Sequence, residues 1–169
     1  TTIGIAKAGN KEYKTDNLNT ILGERFDIKN NITLDKAASS NIDLLLLNGI
    51  EGDLTQEEVS GFLDFINKDG KILIAQGRIK PDIQTQQGLA IQSNIFDVLD
   101  SLGLHIEENL ILDQNCKQLM ARQQTGMFSI QRQIDYPFIP SIKKFNKYND
   151  NITGLEGLQV IQVAFPSEI

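Results

Sequence analysis

The sequence predicts a three-layer α/β domain with a mostly parallel sheet, and the stretch 42–77 carries most of that prediction. Leu44–Leu47 is a short, continuously apolar run, which is typical of a strand covered on both faces in a parallel sheet. A second buried strand of the same kind is predicted at Lys71–Ala75. A helical pattern separates the two, so the stretch predicts a strand–helix–strand crossover. The two strands are expected to be parallel and the connection right-handed.

The helix within this crossover has a start signal and a stop signal. Thr55 and Glu58 have the spacing of a capping box, in which each residue satisfies a free backbone N–H of the other. Asp69-Gly70 supplies a left-handed stop. Apolar side chains at helical spacing form one face between these signals: Val59, Phe62, Leu63 and Ile66.

Strands and helices also alternate before the crossover, which favours a layered α/β fold. The first strand is predicted at Thr2–Ala6 and is broken by Ala8-Gly9-Asn10. A short second strand is predicted at Phe26–Ile28 and a helical turn at Leu34–Ser40. Between the first two strands lies a predicted helix, capped by Thr15 or Asp16, ending near Gly23 and turning Leu18, Ile21 and Leu22 inward.

The chain changes character after Gly77. Arg78–Ser93 is polar and rich in Gln, which predicts either a functional loop or a mobile insertion. A helix capped by Ser93 or Asn94 follows and ends at Gly103. The remaining predicted segments are a strand at Asn109–Leu112, an exposed antiparallel strand at Met127–Ile134, an extended segment at Tyr136–Pro140 and an edge strand at Leu158–Phe165. No domain boundary is evident, so residues 1–169 are expected to form one domain, excised from a longer membrane-anchored protein.

Composition excludes several function classes. The net charge of −6, from 16 basic and 22 acidic residues, argues against a nucleic-acid partner and against adhesion to anionic lipid. Lys143, Lys144 and Lys147 form one small basic cluster, which a solvated face explains. One Cys and one His cannot build a four-ligand zinc site, and no cofactor motif is present. No apolar run reaches membrane-spanning length, so any membrane contact is expected through segments outside these residues.

A family resemblance covers nearly the whole chain. It is carried by the strand–Asn-Gly turn at 48–49, the Leu-Thr-x-x-Glu helix start at 54–58 and the Asp-Gly-Lys-Ile-Leu strand entry at 69–73. Further matches are Leu-Gly-Leu at 102–104, Asn-Leu-Ile-Leu-Asp at 109–113 and Tyr136-Pro137-Phe138. The C-terminal matches are Phe145-Asn146, Asn-Ile-Thr-Gly-Leu at 151–155 and Val-Ala-Phe-Pro-Ser at 163–167. Together they resemble the soluble domain of gliding-motility-type (GldG-type) ABC transporter auxiliary proteins.

This resemblance implies a fold and a role. The fold implied is similar to flavodoxin-like and class I glutamine-amidotransferase-like arrangements. The role implied is that of a non-catalytic domain on the periplasmic, extracytoplasmic side of the inner membrane, in Bacteroidetes and relatives. Its implied partner is the membrane subunit of an ABC transporter or a sister copy of the chain. The family carries no established catalytic residues to transfer.

The sequence argues against three kinds of site: a catalytic Cys–His pair, a nucleotide site and a carboxylate site. A Cys116–His105 pair would need a tight strand-to-helix elbow, and Cys116 has no neighbouring glycine, so a degenerate amidotransferase-like hydrolase is the least favoured hypothesis. Nucleotide binding lacks the glycine-rich phosphate loops it requires. Five carboxylates are explained by turns and caps unless they cluster at a sheet edge: Asp43, Glu51, Asp53, Asp113 and Asp135.

The remaining candidate is a small-ligand site for a sugar or peptide. Ligands bind open α/β sheets at the carboxyl ends of strands, which here carry Asn48, Gln76, Gly77 and Arg78. The polar segment Arg78–Ser93 could close over such a ligand. A second open alternative concerns Tyr136, Phe138, Ile139 and Phe145, which form either a docking surface or the cover of the core. The favoured hypothesis is non-enzymatic interaction, with the ligand site as the alternative.

Overall fold

The computed structural model describes residues 1–7, 16–82, 87–125, 128–143 and 160–169. The chain forms two compact units. Unit 1 comprises Thr1–Arg78 and Ala90–Ile106 with Ile169, and unit 2 comprises Ile79–Leu89 and Glu107–Glu168. That residues 1–169 make one domain stays a prediction. The predictions made for Ala8-Gly9-Asn10, Thr15, Lys144, Lys147 and the motifs at 145–146 and 151–155 fall outside the described residues.

Unit 1 is built on a four-stranded sheet. Its strands are β1 (Thr2–Lys7), β2 (Asp27–Thr33), β3 (Leu44–Asn48) and β4 (Lys71–Ala75). They lie in the order β2-β1-β3-β4, and each neighbouring pair is parallel. The parallel β3–β4 crossover and the α/β fold predicted from the sequence are therefore confirmed.

The helices of unit 1 follow the local sequence signals. They are α1 (Asp16–Gly23), a 3₁₀ helix (Leu34–Ser39), α2 (Gln56–Asn67) and α3 (Ile95–Ser101). Both bonds of the predicted capping box are present: the Glu58 N–H donates to Thr55 Oγ1 at 3.2 Å, and the Thr55 N–H donates to Glu58 Oε2 at 2.9 Å. After α2, Asp69 takes the left-handed conformation with φ 60°, as the predicted stop requires.

The core of unit 1 lies around β3 and α2. Its fully buried large side chains are Leu34, Leu45, Leu47, Phe62, Ile95 and Leu99. The 3₁₀ helix packs against α2 at Gly61, where an added Cβ would meet the carbonyl oxygen of Leu34 and lie 2.6 Å from Cα of Asp35. Only a residue without a side chain allows this approach of two backbones.

Three predictions for unit 1 are corrected by the structure. β4 is an edge strand with Leu73 55% exposed, so it is not buried on both faces. Ile21 is 68% exposed, because α1 turns only Leu18 and Leu22 partly inward. β2 is longer than Phe26–Ile28, since backbone pairing with β1 extends it through a polar Asn-rich segment to Thr33.

Unit 2 consists largely of paired strands. β5 (Ile79–Asp82) pairs with β6 (Gln87–Ala90), so part of the segment predicted as a loop or insertion is strand. β7 (Cys116–Thr125), β8 (Phe128–Ile142) and β9 (Ile161–Gln162) form an antiparallel sheet in that order. We call the β7–β8 pair the ribbon.

The ribbon confirms one strand prediction and changes others. The exposed antiparallel strand and the extended Tyr136–Pro140 segment are confirmed as parts of β8, whereas β7 was not predicted. The predicted strand at Asn109–Leu112 is wrong, because this segment makes isolated bonds instead of a ladder, such as the Ile111 N–H to the Pro166 carbonyl at 2.8 Å. Of the edge strand predicted at Leu158–Phe165, residues 158–159 lie outside the described residues. Within residues 160–165 it is confirmed, at an edge, over β9 alone.

Candidate functional site

The structure brings the predicted rim residues together at one edge of the unit 1 sheet. Asn48 is the last residue of β3 and pairs in register with Ala75, the last residue of β4. Gln76 and Gly77 follow directly, and the Gly49 N–H donates to the Ala75 carbonyl at 2.9 Å. The carboxyl ends of β3 and β4 are thus joined by backbone bonding, with the Asn48 side chain exposed.

The Gln76 carboxamide is engaged with backbone groups of the same rim. Its Oε1 accepts from the Ile50 N–H at 2.6 Å. Its Nε2 donates to the Ile50 carbonyl at 3.1 Å and to the Gly77 carbonyl at 2.8 Å. A ligand that used this side chain would have to replace these bonds.

The Arg78 side chain is held by two other residues of unit 1. Its Nη1 donates to the Ile106 carbonyl at 2.7 Å, and its guanidinium carbon lies 4.7 Å from the centroid of the Phe96 ring. A guanidinium over an aromatic face is a stabilising cation–π contact. Arg78 therefore braces the C-terminal part of unit 1, and its role in ligand binding stays a prediction.

The Asn94 side chain bonds to the backbone of Leu54 instead of capping the helix as predicted. Its Oδ1 accepts from the Leu54 N–H at 2.7 Å, and its Nδ2 donates to the Leu54 carbonyl at 2.8 Å. It makes no side-chain bond to the helix it precedes; the Ser93 hydroxyl instead accepts from the Ile95 N–H at 3.3 Å. The partners are 40 residues apart, so no local sequence pattern could have revealed this pair.

The five weighed carboxylates have structural partners and do not gather at one place. Asp43 accepts from the Thr2 N–H at the amino ends of the strands, and Asp53 accepts from the Asn94 N–H. Asp113 accepts from the Asn115 N–H, and Asp135 accepts from the Gln118 carboxamide. Glu51 has a bonding partner as well. Within the described residues, no three His, Cys, Asp or Glu side chains are grouped so that they could hold a metal.

The cysteine and histidine lack the local setting of a catalytic pair. Cys116 opens β7 and stands opposite Pro140, so it lies on a strand and not at a strand-to-helix elbow. His105 belongs to unit 1, and its Nδ1 lies 2.8 Å from Oδ1 of Asp100. Its position beside a carboxylate and the 60% exposure of its side chain fit a hydrogen bond at the surface.

Unit 2 contains an aromatic pocket of about 400 Å³. Its apolar lining includes the rings of Tyr136, Phe138 and Phe165. Of these, Tyr136 and Phe138 were predicted as a docking surface or as the cover of the core, whereas Phe165 was named only within an edge strand and within the family match at 163–167. All three are half-buried, and the Phe165 N–H donates to the Phe138 carbonyl at 2.8 Å. Phe145, predicted with them, lies outside the described residues.

The described fold and sites define an α/β domain whose polar residues mainly hold its own backbone. No helix in the described ranges is both long and apolar enough to cross a membrane. The chain belongs to the ABC transporter auxiliary family, described as an ABC-type uncharacterized transport system, whose model matches residues 1–169. The transporter-auxiliary family expected from the sequence is therefore confirmed.

Two individual proteins are similar to this chain, one in sequence and one in fold. An uncharacterized protein of Borreliella burgdorferi is 35% identical over 63 residues, which make up 37% of this chain and 12% of that protein. The solved structure titled "mmIFT52 N-terminal domain" has a TM-score of 0.58 at 16% identity, covering 99% of this chain and 66% of that one. At this identity the likeness concerns the fold alone. The chain thus spans only part of the length of both proteins.

Proposed function

We propose that this chain is a non-catalytic, extracytoplasmic domain of an ABC-transporter auxiliary protein of the gliding-motility type. It acts by binding the transporter's membrane subunit, and the intact protein is anchored in the inner membrane of Bacteroidetes and relatives. The family match over residues 1–169 carries the proposal. The order β2-β1-β3-β4 also fits the first four strands of a flavodoxin-like, three-layer arrangement.

The ribbon supports a role in protein interaction. Leu119 stands opposite Ile134, and Ile130 lies four residues before Ile134 on the same strand, so the side chains of these three residues share one face of the strand pair. Ile130 is 55% exposed and Ile134 is 41% exposed. Exposed apolar side chains grouped on one face are typical of interaction sites. The proposed partner surface is therefore this face of the ribbon.

Site-specific photo-crosslinking in cells tests the partner and the face together. A photo-reactive residue at Ile134 is expected to capture the transporter's membrane subunit. The matched control is Gln133, which is also exposed but lies on the opposite face, beside Met120. If only a sister copy is captured, the partner of this face is another copy of the chain and not the transporter. Equal capture from both positions, or none from Ile134, would contradict the proposed face.

Thiol labelling tests the side of the membrane. Arg122→Cys places a thiol at an exposed position of β7, in a Cys116→Ser background. A membrane-impermeant maleimide is expected to label this variant in intact cells whose inner membrane is sealed. The Cys116→Ser protein without the new thiol gives the background. Labelling that appears only after the inner membrane is opened would place the domain in the cytoplasm.

Two alternatives remain as proposals with their own tests. For a sugar or peptide site at Asn48, Gln76, Gly77 and Arg78, a ligand at 100 times its Kd should raise stability by about 2.7 kcal/mol in a thermal-shift assay. The Asn48→Ala variant, which changes an exposed side chain, should lose that shift. For a degenerate hydrolase, a substrate-like thiol probe should label Cys116 rapidly only when His105 is intact.

A further inference from the structure

The aromatic pocket of unit 2 has the size and lining of a small-molecule site. Its volume of about 400 Å³ falls within the roughly 300–1,000 Å³ of typical ligand pockets, which are mostly apolar with a few polar groups. Pro81 and Leu110 complete the apolar wall around the three rings. Asp82, Gln87 and Gly88 supply the polar part.

The three rings lie close together without stacking as one flat layer. The Tyr136 centroid is 5.5 Å from that of Phe138 and 6.2 Å from that of Phe165, and the last two are 6.3 Å apart. The ring planes meet at 54°, 85° and 32°. These separations are typical of aromatic pairs in contact, so the three rings form one continuous aromatic wall of the pocket. A cation that lies against this wall comes within the roughly 6 Å over which a ring attracts it.

Phe165 reaches this position through a strained backbone. Its φ is 54°, in the left-handed region that bulky residues rarely adopt. Strain of this kind is concentrated at ligand clamps and active sites, where the surrounding structure enforces it. The bond from the Phe165 N–H to the Phe138 carbonyl holds the strained residue beside the other rings.

The lining also favours one sign of charge. Aromatic rings carry negative partial charge on their faces, and Asp82 adds a carboxylate. Among the described residues that line the pocket there is no Lys, Arg or His. A primary ammonium would bring three N–H donors that need acceptors, whereas a quaternary ammonium has none to satisfy and suits an apolar wall. We infer that this pocket of unit 2 binds a quaternary ammonium group of a small ligand.

A titration with choline chloride tests this inference on the whole 169-residue chain. Resonances of the Tyr136, Phe138 and Phe165 rings are followed by NMR, and saturable shifts are expected. The neutral isostere 3,3-dimethylbutan-1-ol has the same shape without the charge and is expected to bind at least about fivefold more weakly. Equal affinity for the alcohol, or no saturable shift with choline, would overturn the inference. So would ring shifts with glucose in place of choline.

Variants assign the binding to the pocket. Phe138→Leu removes one ring, and its affinity for choline is expected to fall about 3- to 30-fold. Asp82→Asn keeps the shape of the side chain and removes its charge, so it gives a second test if Phe138→Leu fails to fold. Phe26→Leu, in unit 1, is the control and should bind choline unchanged. Wild-type affinity in both pocket variants would refute the site.

Discussion

Replacing Gly61 by Ala should destabilise the chain, although helix propensity alone predicts the opposite. Gly61 lies inside α2, where Ala is favoured over Gly by about 1 kcal/mol. A Cβ at this position, however, would meet the Leu34 carbonyl oxygen, and it would lie 2.6 Å from Cα and 2.9 Å from C of Asp35. All three atoms belong to the backbone of the 3₁₀ helix, so no side chain can rotate away.

The clash should outweigh the gain in propensity. Overpacking a well-packed site costs about 1–3 kcal/mol even when flexible side chains can adjust. Here α2 and the 3₁₀ helix must separate, which also loosens the core cluster that contains the fully buried Leu34 and Phe62. The net loss of unfolding free energy is therefore expected to be about 2 kcal/mol or more.

Urea unfolding followed by the helical circular-dichroism signal measures this loss, since the described helices all lie in unit 1. Gly23→Ala is the control, because it adds the same methyl group to another helical glycine, at the end of α1. A Cβ at Gly23 has no atom within 4 Å. This control should leave stability unchanged or raise it slightly. A Gly61→Ala protein as stable as wild type would refute the close packing of α2 on the 3₁₀ helix.

Three further tests, each comparing two substitutions, examine other parts of unit 1 by the same unfolding assay. Thr55→Ala removes the capping-box acceptor and should cost about 1 kcal/mol, whereas Thr55→Ser should restore most of it; equal loss in both would exclude the cap. Leu45→Ala, at a fully buried site in β3, should cost about 2–5 kcal/mol, against less than about 1 kcal/mol for Leu73→Ala on the edge strand; similar costs would argue against the edge position of β4. Asn94→Asp removes the donor to the Leu54 carbonyl and sets a carboxylate beside it, so it should cost about 1–3 kcal/mol and at least as much as Asn94→Ala; a neutral Asn94→Asp would show that the bond contributes nothing.

Local signals in the sequence were sufficient for the crossover but not for its surroundings. The capping box at Thr55 and Glu58 depends on residues three apart, and the apolar run of β3 reports its own burial. The position of β4 at an edge depends on whether another strand lies beyond it, which its own residues do not encode. Ile21 fits a helical face equally well whether or not another element covers that face.

The candidate sites show the same division. The carboxyl ends of β3 and β4 could be predicted to meet, because parallel neighbours end at one edge. The engagement of Gln76 with Ile50 spans 26 residues and that of Asn94 with Leu54 spans 40, so neither follows from local spacing. The aromatic pocket depends on Phe165, whose left-handed backbone no propensity predicts.

The bonds of Gln76 and Asn94 limit which side chains can occupy these two positions. Each primary amide offers one donor and one acceptor to a single residue, Ile50 or Leu54, and so replaces the peptide group of a missing neighbouring strand. Asn and Gln present both functions in one planar amide group that carries no charge. Deamidation at either position would therefore release one end of the connection between β3 and α2, and this chemical ageing would act as a slow loosening of unit 1.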